Sequence, residues 1–462
     1  MNTATPLNLV WFRDDLRVED HPALHAAMLT GPSVAIYVLD ETSDGVRLLG
    51  AAARWWLHHA LQALHSDLAA LGVPLLLMRG SANEVLQRAV RELGAAHLHL
   101  NRRYAAAERE IDAAVATGLG ALGCAVHSHE ANLLAEPGQV LNGQGEPYKV
   151  FAAFHRRILE LESRPLVPVP REQTRPRVPA TAGAVDLEQL QLLPTGPDWS
   201  AKLAEHWIPG EAAARARLDE VVRAIAGSYA QHHDRPDLDG TARLSAALRW
   251  GHLSPVQVFE ALTGLLGDPT ANEGAFAMRR QVIWRDFCWH LLAHFPHIPE
   301  RNFRPEFDAM DWAWPQDDPQ AADEMRAWQR GMTGYGLVDA GMRQLWDTGW
   351  MHNRVRMVTA SFLVKNLLIH WKAGEQWFWD TLVDADLACN TVNWQWVAGS
   401  GTDAAPYFRV FNPELQARNF DPNGSYVAHY APLGSAPIVD LKESRLRTLE
   451  AYANVTARRQ GG

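Results

Sequence analysis

The chain has 462 residues, enough for two or three domains with separate cores, and its 47% hydrophobic and 21% charged content is that of a globular protein in water. A formal net charge of −10 gives no reason of its own to expect a polyanion partner, although one basic face can coexist with an acidic remainder. No apolar run approaches the roughly 20 residues that cross a bilayer, the N-terminus lacks the plan of a signal peptide, and Cys124, Cys288 and Cys389 are too scattered for a disulfide framework or zinc cage; a reduced cytoplasmic setting is expected.

In chain order, the apolar runs 7–12 (LNLVWF), 34–40 (VAIYVLD), 74–80 (PLLLMRG) and 97–101 (HLHLN) predict buried strands. Between the second and third, Leu57, Leu61, Leu64, Leu68 and Leu71 carry the three-to-four spacing of an amphipathic helix over 54–71. Such alternation implies an α/β domain over 1–125, a Rossmann-like parallel sheet. Its first turn, FRDDLRVED, has no glycines with which to cradle a pyrophosphate. From 126 to 196 the pattern dissolves into prolines (SRPLVPVPREQTRPRVP), which predicts an extended interdomain linker. Helical periodicity then dominates 197–462, predicting an all-α domain.

Fifteen of the 18 tryptophans fall between Trp199 and Trp396. They either fill a helical core or build a site that stacks planar rings or moves electrons. GTARLS (240–245) gathers small hydroxyl residues before a helix, suited to an ordinary N-cap or to an anion. Over 349–371 the pattern is helical, which puts Asn353, Arg356 and Met357 on one face. A buried arginine there needs an anionic partner, and Asp384 or Asp386 in VDADLACN can supply it, as a structural ion pair or beside a bound anionic cofactor. The doublets His58-His59 and His232-His233 lack metal-ligand spacing, so no metal is expected. There is no GxSxG elbow and no P-loop. These residues describe a binder of a large flat ligand.

Together, LVWFRDDLRVEDHPAL, GTARLS, IWRDF (283–287), TGWMHNRVRM (348–357), DADLACNTVNWQW (384–396) and GTDAAPYFRVFNP (401–413) resemble the photolyase/cryptochrome flavoprotein family. WMHNRVRM and WQWVAGSGTDAAPYFRVFNP are most similar to bacterial photolyases that repair cyclobutane pyrimidine dimers. The resemblance implies a non-covalent FAD in the helical domain, whose excited reduced form passes an electron to a dimer flipped out of UV-damaged DNA. It implies that Tyr229, Thr241, Leu244 and Ser245, with Arg243 in support, hold the phosphates and ribityl chain, and that Arg285 and Asn353 also contact the cofactor. Arg356 and Asp384 are implied as a pair over the isoalloxazine, Asp386 near ring and ribose, and Asn390 beside N5. Trp284 and Trp396 would wall the lesion pocket, with Met357, Asn353 and Gln281 on the lesion and Arg354 and His233 toward the DNA backbone. Trp394, Trp371 and then Trp314, with Trp312 as the alternative, would carry electrons to photoreduce the flavin. A monomer is expected. The rivals are a cryptochrome-like light sensor and a six-four photolyase.

Several residues depart from the family pattern. Gln281 stands where a glutamate is usual, implying weaker stabilisation of the reduced dimer. Asn393 stands where glycine is usual; if that glycine takes a positive φ, asparagine is the residue that best tolerates the change. Only APLGSA joins Tyr430 to Pro437, where relatives carry a longer stretch. For the antenna, Glu108 matches a folate-contacting glutamate while Ala107 replaces its usual asparagine partner, which favours methenyltetrahydrofolate over deazaflavin.

Overall fold

The computed structural model describes residues 6–178, 183–403 and 409–460. Strands β1 (Leu7–Phe12), β2 (Ser33–Leu39), β3 (Leu75–Arg79), β4 (Ala95–Asn101) and β5 (Ala125–His129) alternate with helices α1 (Pro22–Thr30), α2 (Ala51–Ala70), α3 (Ala82–Leu93) and α4 (Ala106–Gly120). With β6 (Ala184–Val185) the order is β5-β4-β1-β2-β3-β6, a doubly wound sheet whose winding reverses at β1. The first four strands fall on the four apolar runs because both faces are covered, and β2 is buried at every position. β5 carries no such run because it is an edge strand with no fully buried residue.

β6 is antiparallel to β3 through Leu77↔Val185 and Met78↔Ala184, so the sheet is mixed and not wholly parallel. The segment 126–196, expected as an extended linker, also forms α5 (Phe151–Glu160), whose Phe151, Phe154 and Ile158 pack into the helical core. Its proline-rich continuation lies along the sheet domain, where Gln173 Nε2 donates to Ser33 O at 2.8 Å and to Gly72 O at 3.2 Å. Three apolar contacts on a ten-residue helix and a two-residue strand are too little pattern to stand out beside eight prolines' worth of breaks in the surrounding sequence.

The loop FRDDLRVED, which cannot hold a pyrophosphate, fastens the sheet domain to the helical one. Arg17, fully buried, donates to Gly251 O at 3.0 Å, and Leu16 N donates to Trp250 O at 3.0 Å. The His252 ring bridges the seam, with Nε2 accepting from Trp56 Nε1 (3.0 Å) and Nδ1 at 2.9 Å from Leu16 O. Gly251 sits at φ +64, and a Cβ on it would lie 2.4 Å from Asp14 O, so the approach requires glycine.

No strand follows β6 among the described residues. The site is built by α6 (Asn272–His294), α8 (Asn353–Ser361), α9 (Trp371–Thr381) and α10 (Leu387–Ala398), with α7 (Gly336–Thr348) behind α8. The single helix expected over 349–371 is two. α8 runs into a wide turn at Phe362–Asn366, Leu368 turns at φ 54, and α9 restarts at Trp371. Each start is capped by a histidine, His352 accepting from Arg354 N (3.2 Å) and His370 from Lys372 N (3.1 Å). The face carrying Asn353, Arg356 and Met357 survives because it lies wholly within α8. The short connection 431–436 is seated against the start of α7, where Ile438 N donates to Thr333 O at 3.0 Å and Ser435 Oγ meets Asp339 Oδ2 at 3.4 Å.

Candidate active site

Two adjoining cavities, of about 410 Å³ and about 280 Å³, open between α6, α8 and α10. Gln281, Trp284, Asn353, Arg356, Asp384 and Asp386 line both. Tyr229, His233, Thr241, Arg243, Leu244, Ser245 and Arg285 line the smaller one, and Met357, Asn390, Trp394 and Trp396 line the larger. Residues from Tyr229 to Trp396, far apart in sequence, thus meet in one place. Arg354, Trp371 and Trp314 lie outside both walls.

GTARLS does not form the side-chain N-cap that its hydroxyls allow. The helix Ser245–Arg249 starts after Leu244 without a side-chain cap, and Arg243 sits at φ 50, turned to Asp239 (3.3 Å) and over the Trp350 indole (5.3 Å). Burial pushes the Tyr229 phenol up to about 12, so it remains a neutral donor.

Arg356 and Asp384 pair at 2.8 Å, and Arg356 Nε donates to Met351 O at 2.7 Å, which fixes the guanidinium plane. Asp384 Oδ1 and Arg285 Nε are buried and find no partner among the described residues. Such orphaned groups in a cavity wall call for a polar ligand. Asp386 is already committed: its Oδ1 caps α10 by accepting from Cys389 N (2.8 Å), and its Oδ2 accepts from Trp289 Nε1 (3.0 Å). Asn390 Nδ2 donates to Glu375 O (3.0 Å) and Oε1 (2.7 Å). Burial holds His352 at about 4, so its ring is neutral and free to accept at the head of α8.

Trp284 and Trp396, both half-buried, stand on the walls of the larger cavity. Trp284 Nε1 donates to Asn393 Oδ1 at 3.1 Å, Asn393 Nδ2 donates back to Cys389 O at 2.8 Å, and Trp396 Nε1 donates to Asp403 O at 3.1 Å. Asn393 is therefore an ordinary helical residue of α10, with no positive φ for asparagine to accommodate. Gln281 is exposed at the rim beside Arg280, whose guanidinium lies 4.8 Å from the Phe151 ring. Arg354, expected toward DNA phosphate, makes a two-pronged ion pair with Asp234 (2.5 and 3.2 Å) and lies 4.4 Å from the Phe420 ring. Its charge is therefore largely offset within the protein. His233 stacks on Tyr229 at 4.9 Å and 20°. Residues 404–408 of GTDAAPYFRVFNP lie outside the described residues.

Trp394 is buried against Phe378 (5.0 Å) and Trp328 (6.3 Å), and its Nε1 finds no partner among the described residues. Trp371, fully buried, donates to Asn302 Oδ1 at 2.9 Å. Next to it His370 stacks on Trp314 at 4.2 Å and 15°, while Trp312 meets the same ring edge-on at 5.1 Å. Both candidate terminal tryptophans thus contact one imidazole.

Sequence reasoning missed Phe151, which meets Trp284 edge-on at 4.9 Å, because it falls in the proline-flanked stretch. It also missed Arg280, one position before Gln281, and Trp350, between Arg243 and Arg356. A run of two arginines before IWRDF was the available signal for the former.

A third, larger cavity of about 720 Å³ lies between the domains at the carboxyl ends of β1, β2 and β4, where the switch point of the sheet falls between β1 and β4. Trp11, Glu108, Arg47, Glu375 and Trp379 are in its wall. Burial raises the Glu108 carboxyl above its usual range.

A doubly wound sheet is thus fastened to a helical domain whose larger site cavity is lined by an arginine–aspartate pair and two indoles. The chain belongs to the DNA photolyase family: the DNA photolyase model matches residues 8–173, and the model of the FAD binding domain of DNA photolyase matches 278–435. It is 41% identical to the deoxyribodipyrimidine photo-lyase of Agrobacterium fabrum, covering 98% of this chain and 99% of that one. The structure superposes on a bacterial class III photolyase from Agrobacterium tumefaciens with TM-score 0.92, at 39% identity and 99% coverage of each chain. Cryptochrome-1 of Arabidopsis thaliana is 34% identical over 92% of this chain, which spans 62% of that protein.

Proposed function

We propose that this family member repairs cyclobutane pyrimidine dimers in UV-damaged DNA in a light-dependent, FAD-carried reaction. One observation carries the reading: the two indoles Trp284 and Trp396 line one cavity together with the Arg356–Asp384 pair. A flipped pair of bases stacks on such walls with about 1–3 kcal/mol per base. Bound and reduced, FAD supplies the photoexcited electron. The chain's residues do the rest. Tyr229, Thr241, Leu244, Ser245 and Arg285 would hold the cofactor's polar chain, and the bound cofactor would offer partners to Asp384 Oδ1 and Arg285 Nε, which lack them. Arg356 supplies positive charge in a poorly solvated pocket, where it favours an anionic ring system. Asn390 offers its carbonyl oxygen to a protonated ring nitrogen. Met357 and Asn353 pack against the lesion, and Gln281 reaches it from the rim with a neutral amide.

Arg280 supplements the backbone contact, since Arg354 is held by Asp234. Trp394 and Trp371, then Trp314 through His370, replenish the reduced cofactor and are not needed for repair itself. The interdomain cavity is the antenna site, and its indole and carboxylate wall, Trp11 and Glu108, suits the flat, hydrogen-bond-donating ring of methenyltetrahydrofolate.

The test is blue-light repair of a dimer-containing oligothymidine by reduced enzyme. Thymine recovery is the expected result. No recovery with FAD bound and reduced would overturn repair in favour of light sensing.

A further inference from the structure

Three side chains run from the sheet domain to the cofactor cavity. Arg47, in the loop between β2 and α2, donates from its two terminal nitrogens to the two oxygens of Glu375 on α9, at 2.7 and 2.8 Å. Glu375 is buried, 1% exposed, and accepts on its inner side from Asn390 Nδ2 at 2.7 Å. Asn390 Nδ2 also donates to the Glu375 carbonyl at 3.0 Å. Both partners are oxygens that accept from it, so the amide has one orientation, with its NH2 toward Glu375 and its carbonyl oxygen as the other end. The Arg47 loop is fixed in turn. Its guanidinium lies 4.1 Å from the Trp379 ring, and Trp379 Nε1 donates to Leu48 O at 2.8 Å.

We propose that Arg47 is a positioning residue for the flavin site, holding Glu375 so that Asn390 presents an acceptor, and not a donor, to the cofactor. The inference rests on the FAD reading of that cavity. A buried carboxylate that loses its guanidinium is costly to keep charged. Without that guanidinium nothing holds the Glu375 carboxylate against the Asn390 amide, which is then free to turn its NH2 toward the cavity. The sign of the hydrogen bond offered to the flavin is thus set by a residue of the other domain. Arg47 also lines the interdomain cavity, so the outer end of this relay lies within reach of whatever that cavity holds.

The experiment is spectroelectrochemical titration of the FAD-loaded full chain, comparing the wild type with Arg47→Ala, Arg47→Lys and Asn390→Asp. Arg47→Ala is expected to shift a one-electron midpoint potential of the flavin by roughly 59 mV, an about tenfold change in that equilibrium. Arg47→Lys keeps the charge and should restore much of it. Potentials unchanged in Arg47→Ala while Asn390→Asp shifts them would overturn the relay. Potentials unchanged in all variants would overturn the flavin's placement beside Asn390, and the relay with it. If Arg47→Ala fails to bind FAD, Arg47→Lys carries the test, with a smaller shift of the same sign expected and none counting against the relay.

Discussion

Asn393 ties the indole of Trp284 to the backbone of α10, one amide serving as acceptor at 3.1 Å and donor at 2.8 Å. A glycine at this position offers no such hold. Trp284 is otherwise oriented by an edge contact with Phe151 and a tilted one with Phe287, which leave an indole free to tilt. A single neutral hydrogen bond contributes about 0.5–1.5 kcal/mol. Asn393→Ala should therefore weaken binding of dimer-containing DNA about two- to tenfold and leave binding of undamaged DNA unchanged, which gel-shift titrations of the two oligonucleotides will separate. Gln281 is the complementary case. It is exposed at the rim and carries no charge, so Gln281→Glu should raise the quantum yield of repair without a comparable change in dimer affinity. Equal yields would mean that position 281 does not reach the lesion.

At the scale of elements, α9 and α10 touch where Gly374 faces Trp394. A Cβ at 374 would stand 2.2 Å from Cη2 of that indole and 2.5 Å from Leu363 Cδ2. Trp371 and Gly374 share a face of α9, three residues apart, so the same face that admits Trp394 also carries the next proposed electron donor. Gly374→Ala overpacks this contact, at about 1–3 kcal/mol. It should lower the melting temperature and slow photoreduction together, whereas Trp394→Phe should abolish photoreduction and spare repair by chemically reduced enzyme. Flash photolysis with a parallel repair assay distinguishes them. The strands β1 to β4 were legible in the sequence from apolar runs buried on both faces. Charge within an apolar helix showed that Arg356 needs an acidic partner but left Asp384 and Asp386 open, and only the family resemblance pointed to Asp384. β6, α5 and the break at Leu368 were not legible, because each is decided by tertiary partners. β6 exists only as two pairings with β3, and the chain turns at Leu368 because Ile369 N donates to Leu363 O (3.1 Å) and His370 heads a new helix. The role of Asn393 was hidden for a similar reason, since its partner Trp284 is 109 residues away.

The whole molecule depends on the seam between sheet and helices, where one core holds Trp55, Trp56 and Leu57 of α2 together with Trp250 and Val383. His252 is its polar joint. In its neutral form Nδ1–H donates to Leu16 O and Nε2 accepts from Trp56 Nε1; a second proton would set two donors against each other. Burial, with the nearby Arg17 charge, lowers this histidine to about 4, against about 6.5 in an unfolded chain. Between those values the unfolded chain binds more protons, so the stability due to neutral His252 is fully present above about pH 6.5 and is lost as pH falls toward 4. One proton corresponds to a slope of about 1.4 kcal/mol per pH unit. The rings of buried His352 and half-buried His370, also near 4, add slopes of the same sign away from the seam. His252→Gln should lower the melting temperature at pH 7.5 and flatten its decline between pH 6.5 and 4.5 by one proton's share. Melting curves that fall in parallel for variant and wild type would assign the acid sensitivity to the other histidines and leave the seam without a titrating joint.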